Sequence, residues 1–291
     1  MAAAPELAWK ATDRSLALTE DDRTVWQFHY AREGKPYLHP LTLGGHTLTD
    51  QRPADHPWHH GLWFSWKTIN GMLYWEEDPK TGKSPGETEI TDVQATRGPD
   101  HSARFELSLG YHPPGKPPVL LEKRKVTFGP PAPDGRYLID WSSTFMAQET
   151  DVVLDRTPIP GEPKGVGFGG YAGLSLRLAP ALRKWQFADE EGPVRASGKK
   201  ARWMSFAGPL QDGRSAAIVV LDHPRNPRHP TPWYLAPGMP YFSPAFLYLG
   251  SYTLPARQSL SLKYRILIQP GPVDRDALDR QWRQFAEVRA E

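Results

Sequence analysis

The chain has 291 residues, 39% hydrophobic and 11% aromatic, with a formal net charge of +2 at pH 7 and no cysteine. That size suits one large domain, residues 1–291, with a substantial core, and the composition lies far from the disordered class. The balanced charge offers no basic face for nucleic acid or a membrane surface, and the missing thiols exclude disulfides, zinc–thiolate sites, iron–sulfur clusters and cysteine nucleophiles. The N-terminal "MAAAPELAWKATDRS" lacks the basic and apolar regions of a signal peptide, and apolar runs such as "AAIVVL" are too short to cross a bilayer. The expected location is cytoplasmic, or periplasmic if a leader has been removed.

Read in chain order, the dominant period is two. "VWQFHY", "ARFELSLGYH", "RYLIDWSSTF", "GLSLRL" and "SLSLKYRILI" alternate apolar and polar residues as half-buried strands do. The 31 prolines and 25 glycines punctuate these runs in turns such as "PPGKPP", "APDGR" and "QDGRS". An all-β fold follows, a large antiparallel β-sandwich rather than a βαβ architecture. "TPIPGEPKGVGFGGYAG" reads as a long loop. At the C-terminus, Leu278, Trp282 and Phe285 share one helical face, and Asp274 or Asp276 is placed to cap its start.

The densest chemistry lies at "DHPWHHGLWFSWKTINGMLYWEED", residues 55–78. Pro53 and Pro57 disfavour helix around the histidines. "GLWFSWKTI" and "GMLYWEE" then form strands joined by an Asn-Gly hairpin turn. His56, His59 and His60 open the first strand, while Glu76, Glu77 and Asp78 close the second, so the hairpin brings imidazoles near carboxylates. Loop histidines often bind only backbone, but this clustering favours a site. A second constellation, "LDHPRNPRHPTPWY", follows the apolar strand "AAIVVL" and carries Asp222, His223, Arg225, Arg228, His229 and Trp233 among four prolines. Its echo of "DHP" predicts that both loops face one cleft at the same end of the sandwich. Trp58, Trp63, Trp66, Trp75 and Trp233 lie in or beside these loops. Many tryptophans simply fill cores. Mixed with carboxylates, imidazoles and guanidinium groups, however, indoles suit the apolar faces and hydroxyls of a sugar.

Six blocks, "KPYLHPL", "DHPWHHGLWF", "NGMLYWEE", "GGYAGLSLR", "DHPRNPRHPTPWY" and "FLYLGSYTLPARQSLSLKYRILIQPG", resemble the bacterial PmoA-like family, a domain of unknown function labelled after methane oxygenase. The resemblance runs from about Pro36 to the final helix. Against the family's Asp-His-Pro-His-His-Arg, Asp55, His56 and His59 match, whereas Trp58 and His60 depart. Leu73 stands where the family's second block carries aspartate. Because methane-oxidising membrane enzymes need membrane helices, the resemblance points instead to carbohydrate metabolism and a galactose-mutarotase-like supersandwich, in which a histidine and a glutamate do acid–base work.

Three functional readings follow. The first is a carbohydrate-processing enzyme, an epimerase, lyase or hydrolase acting on a sugar or oxidised sugar. Its acid–base groups would be His56, His59, Glu76 and Glu77, with a carboxylate pKa raised by a partly dry pocket. Its substrate-binding set is Asp55, His60, Trp63, Lys67, His223, Arg225, Arg228, His229 and Trp233. The second reading is a non-catalytic carbohydrate-binding module using the same aromatics. The third is a non-haem metal oxygenase with His56, His59 and a glutamate as ligands. No cofactor is predicted, although a divalent metal on the histidines and carboxylates stays open. The expected partner is a small-molecule carbohydrate, not nucleic acid or membrane, and the oligomeric state is not legible.

Overall fold

A computed structural model describes residues 6–31, 34–236 and 238–288. Strand alternation becomes burial alternation. Tyr137–Ala147 buries every second side chain, and Ala103–His112 does so along most of its length. Satisfied on one face and wetted on the other, such strands pair antiparallel throughout.

Two sheets of nine strands and one of four result. The first sheet runs Leu7–Ala11, Ser15–Glu20, Arg23–His29, Tyr37–Leu43, Leu62–Ser65, Gly173–Arg177, Tyr241–Pro244 and Trp233–Ala236, with His46–Thr47 paired to Tyr37–Leu43. The second begins with Gly192–Val194, Gln186–Asp189, Trp203–Pro209 and Ser215–Asp222. It continues through Ser259–Pro270, Tyr137–Ala147, Leu120–Phe128, Ala103–His112 and Glu87–Arg97. The short third sheet joins Tyr252–Leu254, Val152–Asp155, Thr68–Ile69 and Met72–Leu73.

The two large sheets face each other across one apolar core. Trp26 of the first stacks on Phe128 of the second at 3.8 Å, Phe28 meets Phe105 edge-on at 4.8 Å, and Phe64 lies 5.2 Å from Phe145. Each such pair contributes about 0.5–1.5 kcal/mol beyond the area it buries. The antiparallel β-sandwich with a C-terminal helix is therefore the observed fold.

Each large sheet carries a second apolar cluster on part of its outer face. Helix Arg275–Ala286 lays Leu278 and Phe285 onto Trp203, Val219, Leu221 and Leu267 of the second sheet. Asp274 makes the N-cap, accepting from the Ala277 amide at 3.1 Å. The first sheet's outer face carries an aromatic cluster built on Trp63, Trp75, Tyr234 and Tyr241. Among the described residues, no helix is long and apolar enough to cross a membrane.

One expected strand is divided. Leu62–Ser65 belongs to the first sheet, whereas Thr68–Ile69 pairs in the third, and the chain changes sheets at Trp66 and Lys67. The Asn70-Gly71 turn has φ of 51° and 77°, the double left-handed pair that such tight hairpins require. Residues 157–172 are irregular, as expected, with Glu162 accepting from Arg156 and from the Ile159 amide.

Candidate functional site

Period-two geometry builds the site's floor. In Leu62–Ser65, Leu62 and Phe64 enter the core, so Trp63 points outward. In Gly173–Arg177, Leu174 and Leu176 go inward, leaving Ser175 opposite Trp63 and Arg177 opposite Tyr241 in the strand register. Ser175 and Tyr241 share a hydroxyl hydrogen bond of 2.8 Å. Trp75 lies 5.5 Å from Trp63 and 4.9 Å from Tyr171, and Tyr234 adds its ring 5.7 Å from Tyr241.

Over this floor runs the histidine loop. Arg177 Nη2 donates to both carboxylate oxygens of Asp55 at 2.9 Å, and Asp55 Oδ2 stands 3.0 Å from His56 Nδ1. The small burial of Asp55 acts to raise its pKa, but the hydrogen bonds from His56 and Arg177 prevail and hold it below the usual carboxylate range. Gly61 closes the loop with φ of 66°, where a Cβ would sit 2.3 Å from the Leu38 carbonyl oxygen, so only glycine fits. His56 stacks on His59 at 4.7 Å, and His59 in turn touches Trp63 at 5.1 Å and Tyr241 at 5.3 Å. Burial above all, with the charges of His56 and Arg177 behind it, pushes the His59 pKa down to about 2. This imidazole is neutral at physiological pH.

The two glutamates have different surroundings, since consecutive residues of an extended chain face opposite ways. Glu77 is buried. Its Oε1 accepts from Lys35 Nζ and His60 Nε2, each at 2.9 Å, and its Oε2 from Arg52 Nη1 at 3.2 Å. Lys35 is further fixed by the Trp75 carbonyl at 2.6 Å and by Ser84. Burial alone would raise the Glu77 pKa, but His60 and Lys35 outweigh it, and the carboxyl lies below its ordinary value. The expected upward shift is therefore corrected for this residue, because its pocket is dry but strongly cationic. Glu76 instead binds Lys67, which also donates to the Tyr171 hydroxyl at 3.1 Å. Glu76 Oε2 is buried without a partner. Burial, followed by the Glu76 charge, raises the Tyr171 pKa.

The second loop goes elsewhere. Asp222 is fully buried and accepts from His229 Nδ1 at 2.7 Å, Asn226 Nδ2 at 2.7 Å and the Thr231 amide at 3.0 Å. His229 stacks on Trp282 of the helix, and His223 meets Phe285 edge-on. Arg228 donates to the carbonyls of Phe246, Gly250 and Ser251, Trp233 is buried in the core and donates to the Ala201 carbonyl, and Arg225 is exposed. The expectation that both loops face one cleft is thus corrected. His229 packs beneath the helix outside the second sheet, and His59 lies outside the first. This loop, hydrogen-bonded largely to itself, links Ser215–Asp222 of the second sheet to Trp233–Ala236 of the first. Its neighbour Tyr234 is the residue that reaches the aromatic cluster.

Of the expected set, Asp55, His56, His59, His60, Trp63, Lys67, Glu76 and Glu77 gather on one face, joined by Lys35, Arg52, Tyr171, Arg177, Tyr234 and Tyr241. Arg177 was foreshadowed by the outward register of "GLSLR", and Tyr171 by the glycines flanking it. A pocket of about 510 Å³ lies beside Lys35 and Glu77, lined also by Ser84, Glu87, Glu89 and His112. Among the described residues, no group of three or more histidine, aspartate or glutamate side chains is arranged to hold a metal ion.

The fold and site define a β-sandwich protein with an aromatic, charge-rich face on one sheet. Residues 15–283 match the family of unknown function DUF6807, and the chain belongs to it. The comparisons lend nothing to the methane-oxygenase label of the PmoA-like resemblance. No curated protein matches the chain. Among solved structures it is similar to the alpha-galactosidase from Lactobacillus brevis, at 12% identity and a TM-score of 0.46 over 96% of this chain. The chain spans 41% of that structure's length. A similarity of that degree says nothing about activity.

Proposed function

We propose that the protein is a carbohydrate-processing enzyme working by general acid–base chemistry on the outer face of the first sheet. The observation that carries this reading is the chain Arg177–Asp55–His56 at the rim of the aromatic cluster. Asp55, held by Arg177 at 2.9 Å, fixes one nitrogen of His56, whose side chain is 35% exposed with the other nitrogen free to meet a ligand. An imidazole oriented by a carboxylate is the arrangement that proton transfer requires. Glu76, with one oxygen unpaired and Lys67 beside it, is the carboxylate assigned to the other proton transfer. His59 stays neutral and supports His56 by stacking, while Glu77 anchors the cations beneath. The partly exposed rings of Trp58 and Tyr171, backed by the buried Trp75 and Tyr234, supply the apolar walls that sugar rings stack on. Epimerisation, elimination and hydrolysis all use such a pair.

The test compares wild type with His56→Ala and Glu76→Gln on a panel of sugars and sugar acids, with products read by NMR. Loss of roughly 10²- to 10⁴-fold in turnover is expected for each, the range of a general acid or base. Wild-type turnover in both variants would sink the assignment. If sugars bind with no turnover by any protein, the non-catalytic binding module replaces the enzyme reading.

A further inference from the structure

We propose that the ligand of this site is a sugar acid, its carboxylate received by Arg177 and the indole N–H groups of Trp63 and Trp75; this rests on the carbohydrate reading above. Buried polar atoms in folded proteins nearly always have hydrogen-bond partners, and each exception calls for an explanation. Among the described residues, seven of the thirteen such atoms belong to this face, and the other six are on Trp26, Trp66, Arg124, Asp189, Glu190 and Gln281. Trp63 Nε1, Trp75 Nε1, Arg177 Nε and Nη1, His59 Nδ1, His60 Nδ1 and Glu76 Oε2 are buried without a hydrogen-bond partner, although Arg177 Nε faces Asp50 Oδ2 at 4.0 Å. Their side chains adjoin: Trp63 lies 5.5 Å from Trp75, His59 touches both, and Arg177 pairs in register with Tyr241, whose ring is 5.3 Å from His59. The Arg177 side chain is 6% exposed.

The balance of donors and acceptors identifies the complement. Indole and guanidinium N–H groups only donate, so four of these atoms are obligate donors, and Glu76 Oε2 is the one obligate acceptor. A carboxylate offers several lone pairs and no proton, and a sugar hydroxyl supplies the donor that Glu76 lacks. Arg177 already binds a carboxylate, that of Asp55, through Nη2. A ligand carboxylate would extend the same chemistry to the remaining N–H groups, lifting the loop that carries His56 and Trp58. A phosphate is disfavoured. Each cation here already faces an acid, Arg177 with Asp55, Lys67 with Glu76 and Arg52 with Glu77, so local charge suits a monoanion better than a dianion.

The experiment titrates the full chain with galacturonate, glucuronate and gluconate, with galactose and glucose, and with glucose 6-phosphate. Tryptophan fluorescence and the indole N–H signals in NMR report binding. At least one acid is expected to bind roughly tenfold or more tightly than its neutral parent, as a charge-assisted hydrogen bond implies. That preference should collapse in Arg177→Lys and weaken in Trp63→Phe, which keeps a ring and removes the N–H; the second variant carries the test if the first fails to fold. Equal or tighter binding of the neutral sugars, preference for the phosphate, or no binding of any acid overturns the inference. If neutral sugars win while His56→Ala and Glu76→Gln are still inactive, the acid–base reading stands alone. Tight acid binding with both variants fully active on the acid has the opposite meaning.

Discussion

Glu76 and Glu77 are chain neighbours with the same carboxylate, and their surroundings differ. Among the described residues, Glu77 is the sole countercharge hydrogen-bonded to the buried Lys35 ammonium, whose other acceptors are the Trp75 carbonyl and Ser84. Replacing it with glutamine strands that ammonium and loosens Arg52 and His60 together. Breaking one side of a buried ion pair costs about 3–5 kcal/mol. Glu76 is 29% exposed but its partner Lys67 only 11%, so Glu76→Gln should cost less than Glu77→Gln, about 1–2 kcal/mol. Urea unfolding of the two variants checks this. A Glu77→Gln protein as stable as wild type would mean that the network contributes little to folding. Proximity of His60 to Glu77 was legible in the sequence, because a tight Asn-Gly turn connects their strands. Their roles were not, since Lys35 and Arg52 arrive from other segments.

At the scale of elements, identical residue types acquired different uses from their place in the fold. The tripeptide Asp-His-Pro begins both loops, yet the first is held over the first sheet by Arg177 and the second is wedged under the helix by His229 on Trp282. Composition cannot distinguish these outcomes, because Arg177 and Trp282 meet their loops through long-range pairing. The fold was more legible: alternation in "RYLIDWSSTF" and "SLSLKYRILI" gave paired strands of the second sheet, and Leu278 with Phe285 gave the helix. What alternation left open was which strands become neighbours. Gly173–Arg177 lies beside Leu62–Ser65 across more than a hundred residues, and that pairing creates the site. His229→Ala should therefore leave the proposed sugar binding unchanged and lower stability by about 1–3 kcal/mol, the cost of a buried Asp222 deprived of a partner. A lost affinity with unchanged stability, measured by titration and unfolding together, would return the second loop to the ligand.

For the whole molecule, buried histidines set the acid limit of stability. Burial is the foremost cause lowering the pKa of His29, His39, His59, His60 and His223 from 6.5, and it takes His59 to about 2. The unfolded chain therefore binds more protons than the folded one below pH 6.5. Stability is full above that pH and declines as pH falls through it, by about 1.4 kcal/mol per pH unit for each histidine kept neutral. Glu77 and Asp55, with lowered folded pKa values, add stability above their unfolded values of 4.5 and 3.8, which is lost only at lower pH. Loss of stability should thus begin near pH 6.5, before the carboxylates protonate. His59→Phe isolates one contribution: it keeps an aromatic ring against Trp63 and Tyr241 and removes an imidazole whose Nδ1 has no partner. Its stability between pH 6.5 and 5 should fall less steeply than wild type, by the slope of about one proton. Urea midpoints across that range decide the matter, and an unchanged slope would show that His59 takes up its proton in the folded state.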